Sequence, residues 1–196
     1  MRHVLLVAAV LFLSTAAAPA QALSLNAAVE SERESDTQLL AKGFSAGIWQ
    51  SLGDYFFAGV GYSRLRTEPF MDGDLGGRLE YVGSGVDLGA GYGFMNGFGL
   101  SGTVGYARSE VRGLDGFEED PVFASEGPSG SLTLSMRPSS WAEMYMGPAY
   151  SYLGREPAWQ GNVGLALRLL PGIWVSTGFW RAETTYGWTA GLSLGN

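Results

Sequence analysis

Between Trp159 and Asn196, apolar residues alternate almost one for one with small or polar ones. Val163, Leu165, Leu167 and Leu169 fall on one face, with Asn162, Gly164, Ala166 and Arg168 on the other. After Leu170-Pro171-Gly172 the same period runs from Ile173 to Arg181. A last run then sets Tyr186, Trp188, Ala190, Leu192 and Leu194 against Gly187, Thr189, Gly191, Ser193 and Gly195. A period of two is strand geometry. The second face is mostly Gly, Ser, Thr and Ala, whereas a soluble sheet buries bulk and exposes charge. A sheet whose bulky face meets lipid and whose small-residue face lines a narrow interior has the pattern seen here.

Extended over the chain, the alternation predicts strands at 23–31, 40–51, 54–66, 77–94, 98–112, 128–137, 141–154, 158–169, 173–182 and 185–195. Short turns fall at Leu52-Gly53-Asp54, Met95-Asn96-Gly97, Pro138-Ser139-Ser140 and Leu170-Pro171-Gly172. The other links are longer or more polar: Glu32 to Leu39, Thr67 to Gly76, Gly113 to Gly127, Arg155 to Pro157, and Glu183-Thr184. Short turns at one end and longer loops at the other predict an all-β fold, a closed antiparallel up-and-down transmembrane β-barrel. Ten strands are expected, with eight as the alternative. An even count puts both termini at the short-turn end, which is the periplasmic side.

Aromatic residues are expected to form two interfacial girdles. Trp49, Tyr55, Phe56, Phe94, Phe98, Trp141 and Trp174 stand near the short turns. Tyr62, Tyr81, Tyr106, Tyr150, Tyr152, Trp159, Trp180 and Tyr186 stand toward the long loops.

Residues 1–22 carry a basic Arg2, an apolar run from Val4 to Leu13 and the small-residue sequence Ala18-Pro19-Ala20-Gln21-Ala22, the form of a secretory signal peptide cleaved after Ala22 or Ala20. The barrel domain is then 23–196. Its expected localisation is the bacterial outer membrane. There is no cysteine, so closure and packing rather than disulfides must hold the fold. Without Arg2 the formal charge is about −8, which argues against nucleic acid as a partner.

Signal peptide, alternating strands such as Val86-Asp87-Leu88-Gly89-Ala90-Gly91-Tyr92-Gly93-Phe94, short turns and polar loops together resemble the small OmpA/OmpX-type outer-membrane barrels of Gram-negative bacteria. The resemblance is one of architecture. Such barrels have eight strands and often end in an aromatic residue, whereas this chain ends Leu194-Gly195-Asn196.

Histidine narrows the chemistry. The only one, His3, lies in the expected signal peptide, so the barrel domain has no imidazole to act as base or metal ligand. Outer-membrane lipases, palmitoyl transferases and ten-stranded surface proteases resemble the chain in size or shape but depend on histidine. Lys42 is the only lysine, which disfavours a serine–lysine pair. No enzyme activity, cofactor or metal is expected.

The acids group near the loops: Glu30, Glu32, Glu34 and Asp36 at the first, Glu68, Asp72 and Asp74 at the second, and Asp115, Glu118, Glu119, Asp120 and Glu126 at the third. They lack the spaced ligands of a calcium loop and are expected to be solvated. Gly89, Gly91 and Gly93 alternate in a strand with no helix after them, so they form no phosphate cradle. They are expected to leave room for larger side chains across the lumen. At Gly83-Ser84-Gly85 the apolar positions change parity, from Leu79 and Tyr81 to Val86 and Leu88, which predicts a β-bulge.

Two functions fit this pattern, with an outer-membrane enzyme a distant third. One is a structural or surface-interaction barrel whose acidic external loops meet lipopolysaccharide or another surface partner. The other is a narrow, porin-like channel for ions or small solutes. Alternation places four charged residues inside: Asp87, Arg137, Glu143 and Arg168. Arg137 and Glu143 flank one short turn and Arg168 lies beside Glu143 on the next strand, so an Arg-Glu-Arg group near the periplasmic mouth is expected. The domain is expected to be a monomer surrounded by outer-membrane lipid.

Overall fold

The structure is a computed structural model that describes residues 23–72, 75–114, 121–154 and 156–195. The expected signal peptide lies outside them, as do Asp74 and the loop acids from Asp115 to Asp120. Eleven strands follow one another: β1 (Leu23–Glu34), β2 (Leu40–Ser51), β3 (Phe56–Thr67), β4 (Phe70–Asp72), β5 (Leu75–Gly93), β6 (Phe98–Leu114), β7 (Pro121–Ser139), β8 (Ala142–Leu153), β9 (Glu156–Leu170), β10 (Ile173–Ala182) and β11 (Thr185–Leu194). Each long strand pairs antiparallel with its sequence neighbour, β1 pairs with β11, and β3 pairs with β5. The ten long strands therefore form a closed ring, and the eight-strand alternative falls away. The short β4 pairs with the far end of β5, continuing the β3–β5 hairpin beyond the ring.

Closure leaves no row of unpaired backbone donors and acceptors in the ring, which is the condition for a sheet to stand in hydrocarbon. Tight turns join strands at one end. Gly53, Gly97 and Gly172 there have φ of 94°, 82° and 76°, a left-handed conformation that glycine adopts without a Cβ clash. In the first of these turns the Leu52 amide donates to the Phe56 carbonyl at 2.7 Å, and in the second Phe94 donates to Phe98 at 2.6 Å.

The two faces separate as the alternation requires. Val29, Phe44, Ile48, Val60, Leu88, Val104, Leu134, Val163 and Leu192 point outward and are exposed. The alternate positions, among them Ser45, Ser63, Ser101, Thr189 and Ser193, face in and are buried.

Three expectations need correction. First, no bulge interrupts Gly83-Ser84-Gly85: the register of β5 runs unbroken against both β3 and β6. The parity changes because the environment does. Leu79 and Tyr81 point inward, onto a cluster with Ala41, Leu65 and Val111, while Val86 and Leu88 point outward. Register breaks occur elsewhere, at Ile173/Trp174, Val111/Arg112 and Met136/Ser139. Second, β7 begins at Pro121 rather than 128, so much of the expected third loop is sheet. Third, Trp49, Trp174, Tyr81 and Trp180 stand at inward positions, paired with Gly59, Arg168, Leu65 and Gly187, and belong to the lumen rather than to the girdles.

Toward the long loops, β2, β3, β5 and β6 thus form a collar in which the usual order of faces is reversed. Inside is the apolar cluster of Ala41, Leu65 and Tyr81; outside is a charged belt. On that belt Arg64 and Arg66 both donate to Glu80 Oε1, at 2.8 and 2.7 Å, and cover it so that Glu80 is only 3% exposed. On the next strand Arg108 and Arg112 flank Glu110 at 2.6 and 2.5 Å. Exposed Lys42 and Glu68 pair at 2.9 Å on the same side.

Candidate functional site in the barrel lumen

Inward aromatic rings and glycines are matched across the strands. Trp49 pairs with Gly59, Phe57 with Gly89, Tyr145 with Gly164 and Trp180 with Gly187. In each pair the ring folds down over the glycine, so that a Cβ there would run into it. Glycine is required at these positions because the ring needs the volume. The expectation that lumen glycines make room for larger side chains is met most directly by Gly89 under Phe57.

At the short-turn end the lumen holds a group of charges. Arg137 Nη2 donates to Glu143 Oε2 at 2.6 Å, with Glu143 buried. Both arginines approach the Trp174 ring, Arg137 at 5.7 Å and Arg168 at 5.9 Å from its centroid, within cation–π range. Among the described ion pairs none joins Arg168 to Glu143. Arg168 reaches the group through Trp174, which lies opposite it on β10. Trp49 and Phe57 pack edge to face at 5.3 Å on another sector of the same end. Asp87 stands apart from this group, about midway along β5 and buried, with its carboxylate against Gly105 of the neighbouring strand.

The long-loop half of the lumen has the opposite character. Glu30, Glu32 and Glu34 occupy successive inward positions of β1, alternating with outward Ser31 and Arg33, and Glu32 and Glu34 are 3% and 7% exposed. They were expected to be solvated around the first loop. Their parity with Ser24, Asn26 and Ala28 is the signal that would have placed them inside. Thr37 Oγ1 donates to Glu34 Oε2, and Ser45 on β2 faces the lumen one inward position from Gly43, the partner of Glu30. No ion pair involves these three acids among the described residues. Elsewhere in the lumen, buried polar atoms without a hydrogen-bond partner among the described residues are Tyr81 OH, Ser63 Oγ, Ser151 Oγ, and both Oε1 and Nε2 of Gln160.

Neither a protein-family model nor the sequence of any curated protein matches the chain. Solved structures do match its fold. The β domain of the Bordetella autotransporter BrkA aligns over 89% of this chain and 99% of its own with a TM-score of 0.55 at 10% identity. The NanC porin aligns over 87% and 98% with a TM-score of 0.54 at 7% identity. An outer-membrane channel from Pseudomonas putida F1 aligns over 93% and 98% with a TM-score of 0.54 at 6% identity. At such identities the likeness is one of fold. The chain has the fold of the bacterial outer-membrane β-barrels.

Proposed function

We propose that this chain is an integral outer-membrane β-barrel with a structural and surface-interaction role, non-catalytic and monomeric, whose lumen is closed toward the periplasm. The observation that carries this is the Arg137–Glu143 pair capped by Trp174 at the short-turn end. A lumen ringed by ten strands is narrow before any side chain enters it. Here a half-buried ion pair and several aromatic rings occupy that end. The partner proposed is lipopolysaccharide, met from outside by the collar. Arg66 and Arg108 have side chains 55% and 56% exposed just above the lipid-facing apolar band, and guanidinium groups match phosphate in geometry as well as charge. The charge-poor, apolar outer band and the expected cleavage of residues 1–22 support the same location.

Planar-bilayer recordings of the refolded protein test this against the channel reading. Unaltered protein should give no steady open level, and Arg137→Ala/Glu143→Ala should give one. A steady conductance from the unaltered protein would replace the closed barrel with a channel.

A further inference from the structure

We infer that the outer wall of the barrel holds one lipid A molecule, the phosphorylated and acylated disaccharide that anchors lipopolysaccharide, with its headgroup on Arg64 and Arg108 of the collar and an acyl chain in a groove below them. The inference rests on the reading of lipopolysaccharide as the partner and deepens it, by giving the lipid anchor a particular place on the wall.

The groove is the first observation. Ile48, Ala58, Val60, Leu88, Val104 and Tyr106 border an open-sided space of about 620 Å³ on the lipid-facing surface, within the range of about 300 to 1,000 Å³ over which ligand pockets fall. It exists because side-chain size dips there. The paired outward residues Gln50, Ala58, Leu88 and Val104 form one row whose smallest member is Ala58, and the lining reaches bare backbone at Gly59 and Gly105. A hydrocarbon chain laid in such a hollow meets protein on its flanks as well as beneath, and so gains contacts that a chain on a smooth wall lacks.

The second observation is the charge set above the groove. Arg108 lies two residues beyond Tyr106 and four beyond Val104 on β6, about 7 and 13 Å along the strand. Its row runs through Ser84 and Tyr62 to Ala46, so a small residue stands directly beside it and leaves the top of the groove open toward the belt. Arg64, Arg66, Arg108 and Arg112 outnumber Glu80 and Glu110 by two. Adding Lys42 and Arg78 with Glu68 and Glu126 leaves that surplus unchanged, on a chain whose formal charge is −7. The four arginine side chains are 39% to 56% exposed although each is paired with a glutamate, so each keeps donors that a phosphate can reach.

The spacing selects the headgroup. Arg64 and Arg108 stand on strands separated by β5, about 10 Å apart across the sheet. A disaccharide bearing phosphate is wide enough to meet both while its chains descend into the groove, whereas a single glycerol phosphate meets one.

For the test, the protein is extracted from outer membranes of expressing cells into a nonionic detergent, washed with rising detergent, and its bound lipid counted by native mass spectrometry. The unaltered barrel should keep one lipid A after loosely held lipid has gone. Ala58→Phe puts a ring in the groove and touches no arginine, and it should lower the retained lipid A at least fivefold. Ala190→Phe, exposed on β11 away from the groove, should leave it unchanged. Where Ala58→Phe does not fold, the smaller change Ala58→Leu takes its place. Lipid A kept equally by the unaltered and the groove-filled barrels would overturn the groove and leave lipopolysaccharide standing as a partner of the collar. No lipid A on the unaltered barrel would overturn both. A phospholipid kept by the unaltered barrel and lost on filling the groove, with lipid A indifferent to the change, would overturn lipid A as the occupant.

Discussion

The Tyr145 ring lies over Gly164, its cross-strand partner, so closely that a Cβ on the glycine would meet the ring tip and, at 2.7 Å, the Thr177 carbonyl. The same relation recurs for Trp49 over Gly59, Phe57 over Gly89 and Trp180 over Gly187. The lumen is filled by pairing its largest side chains with residues that have none, so the ring and its glycine form one packing unit.

Gly164→Ala should accordingly destabilise the barrel, because the new methyl must displace Tyr145 or shift β10. Overpacking of this kind costs about 1 to 3 kcal/mol. Gly161 is the built-in control: it is exposed on the same strand and a Cβ there meets nothing within 4 Å. Urea midpoints in detergent should fall for Gly164→Ala and stay put for Gly161→Ala.

Glu143→Ala should cost more than Glu68→Ala. Glu143 is buried against Arg137, and its loss removes the carboxylate to which Arg137 donates beside Trp174. Losing a hydrogen bond to a charged group costs about 1.5 to 3 kcal/mol. The Lys42–Glu68 pair is more than half exposed at both ends, and such pairs contribute about 0 to 1 kcal/mol. Urea midpoints at low and high salt should separate them: the Glu68 effect, small to begin with, fades with salt, while the Glu143 effect persists.

How much of this was legible in the chain depended on which environment a strand segment met. Where strands run between lipid and lumen, bulk marks the outward side, and alternation is the whole basis for assigning Asp87, Arg137, Glu143 and Arg168 to the inward face. Beyond the lipid band alternation misleads for a physical reason: the outward side there faces water, so bulk no longer marks it. Leu79 and Tyr81 therefore looked like a slipped register, and Glu30, Glu32 and Glu34 looked like loop acids although their spacing of two was in view. Pro121 and Pro128 hid the first part of β7, since proline usually argues against a strand. Trp49 and Trp180 were assigned to girdles by their height along the barrel when their parity with glycine and serine pointed inside.

Cysteines should report the orientation of the barrel. One replacing Asp36, exposed in the β1–β2 turn, should react with an impermeant maleimide on intact cells, and one replacing Ser140, exposed at the opposite end, should react only after lysis. The reverse pattern would invert the assignment of the two ends.

Reversing charge on the collar should weaken its hold on lipopolysaccharide. Arg64→Glu/Arg66→Glu replaces the two cations that cover Glu80 with like charges. The variant should co-purify with less lipopolysaccharide than the unaltered protein, and added magnesium should partly restore it. Equal retention would remove the collar as the contact.

The reversal of faces along β3, β5 and β6 also fixes where the protein rides. Sinking would drag the guanidinium belt from Arg64 to Arg112 into hydrocarbon, and rising would lift Val60, Val86 and Val104 into water. Both displacements are uphill, so the ten strands carry their own depth gauge. The barrel would keep its level in bilayers of different thickness by bending the lipid around it rather than by moving.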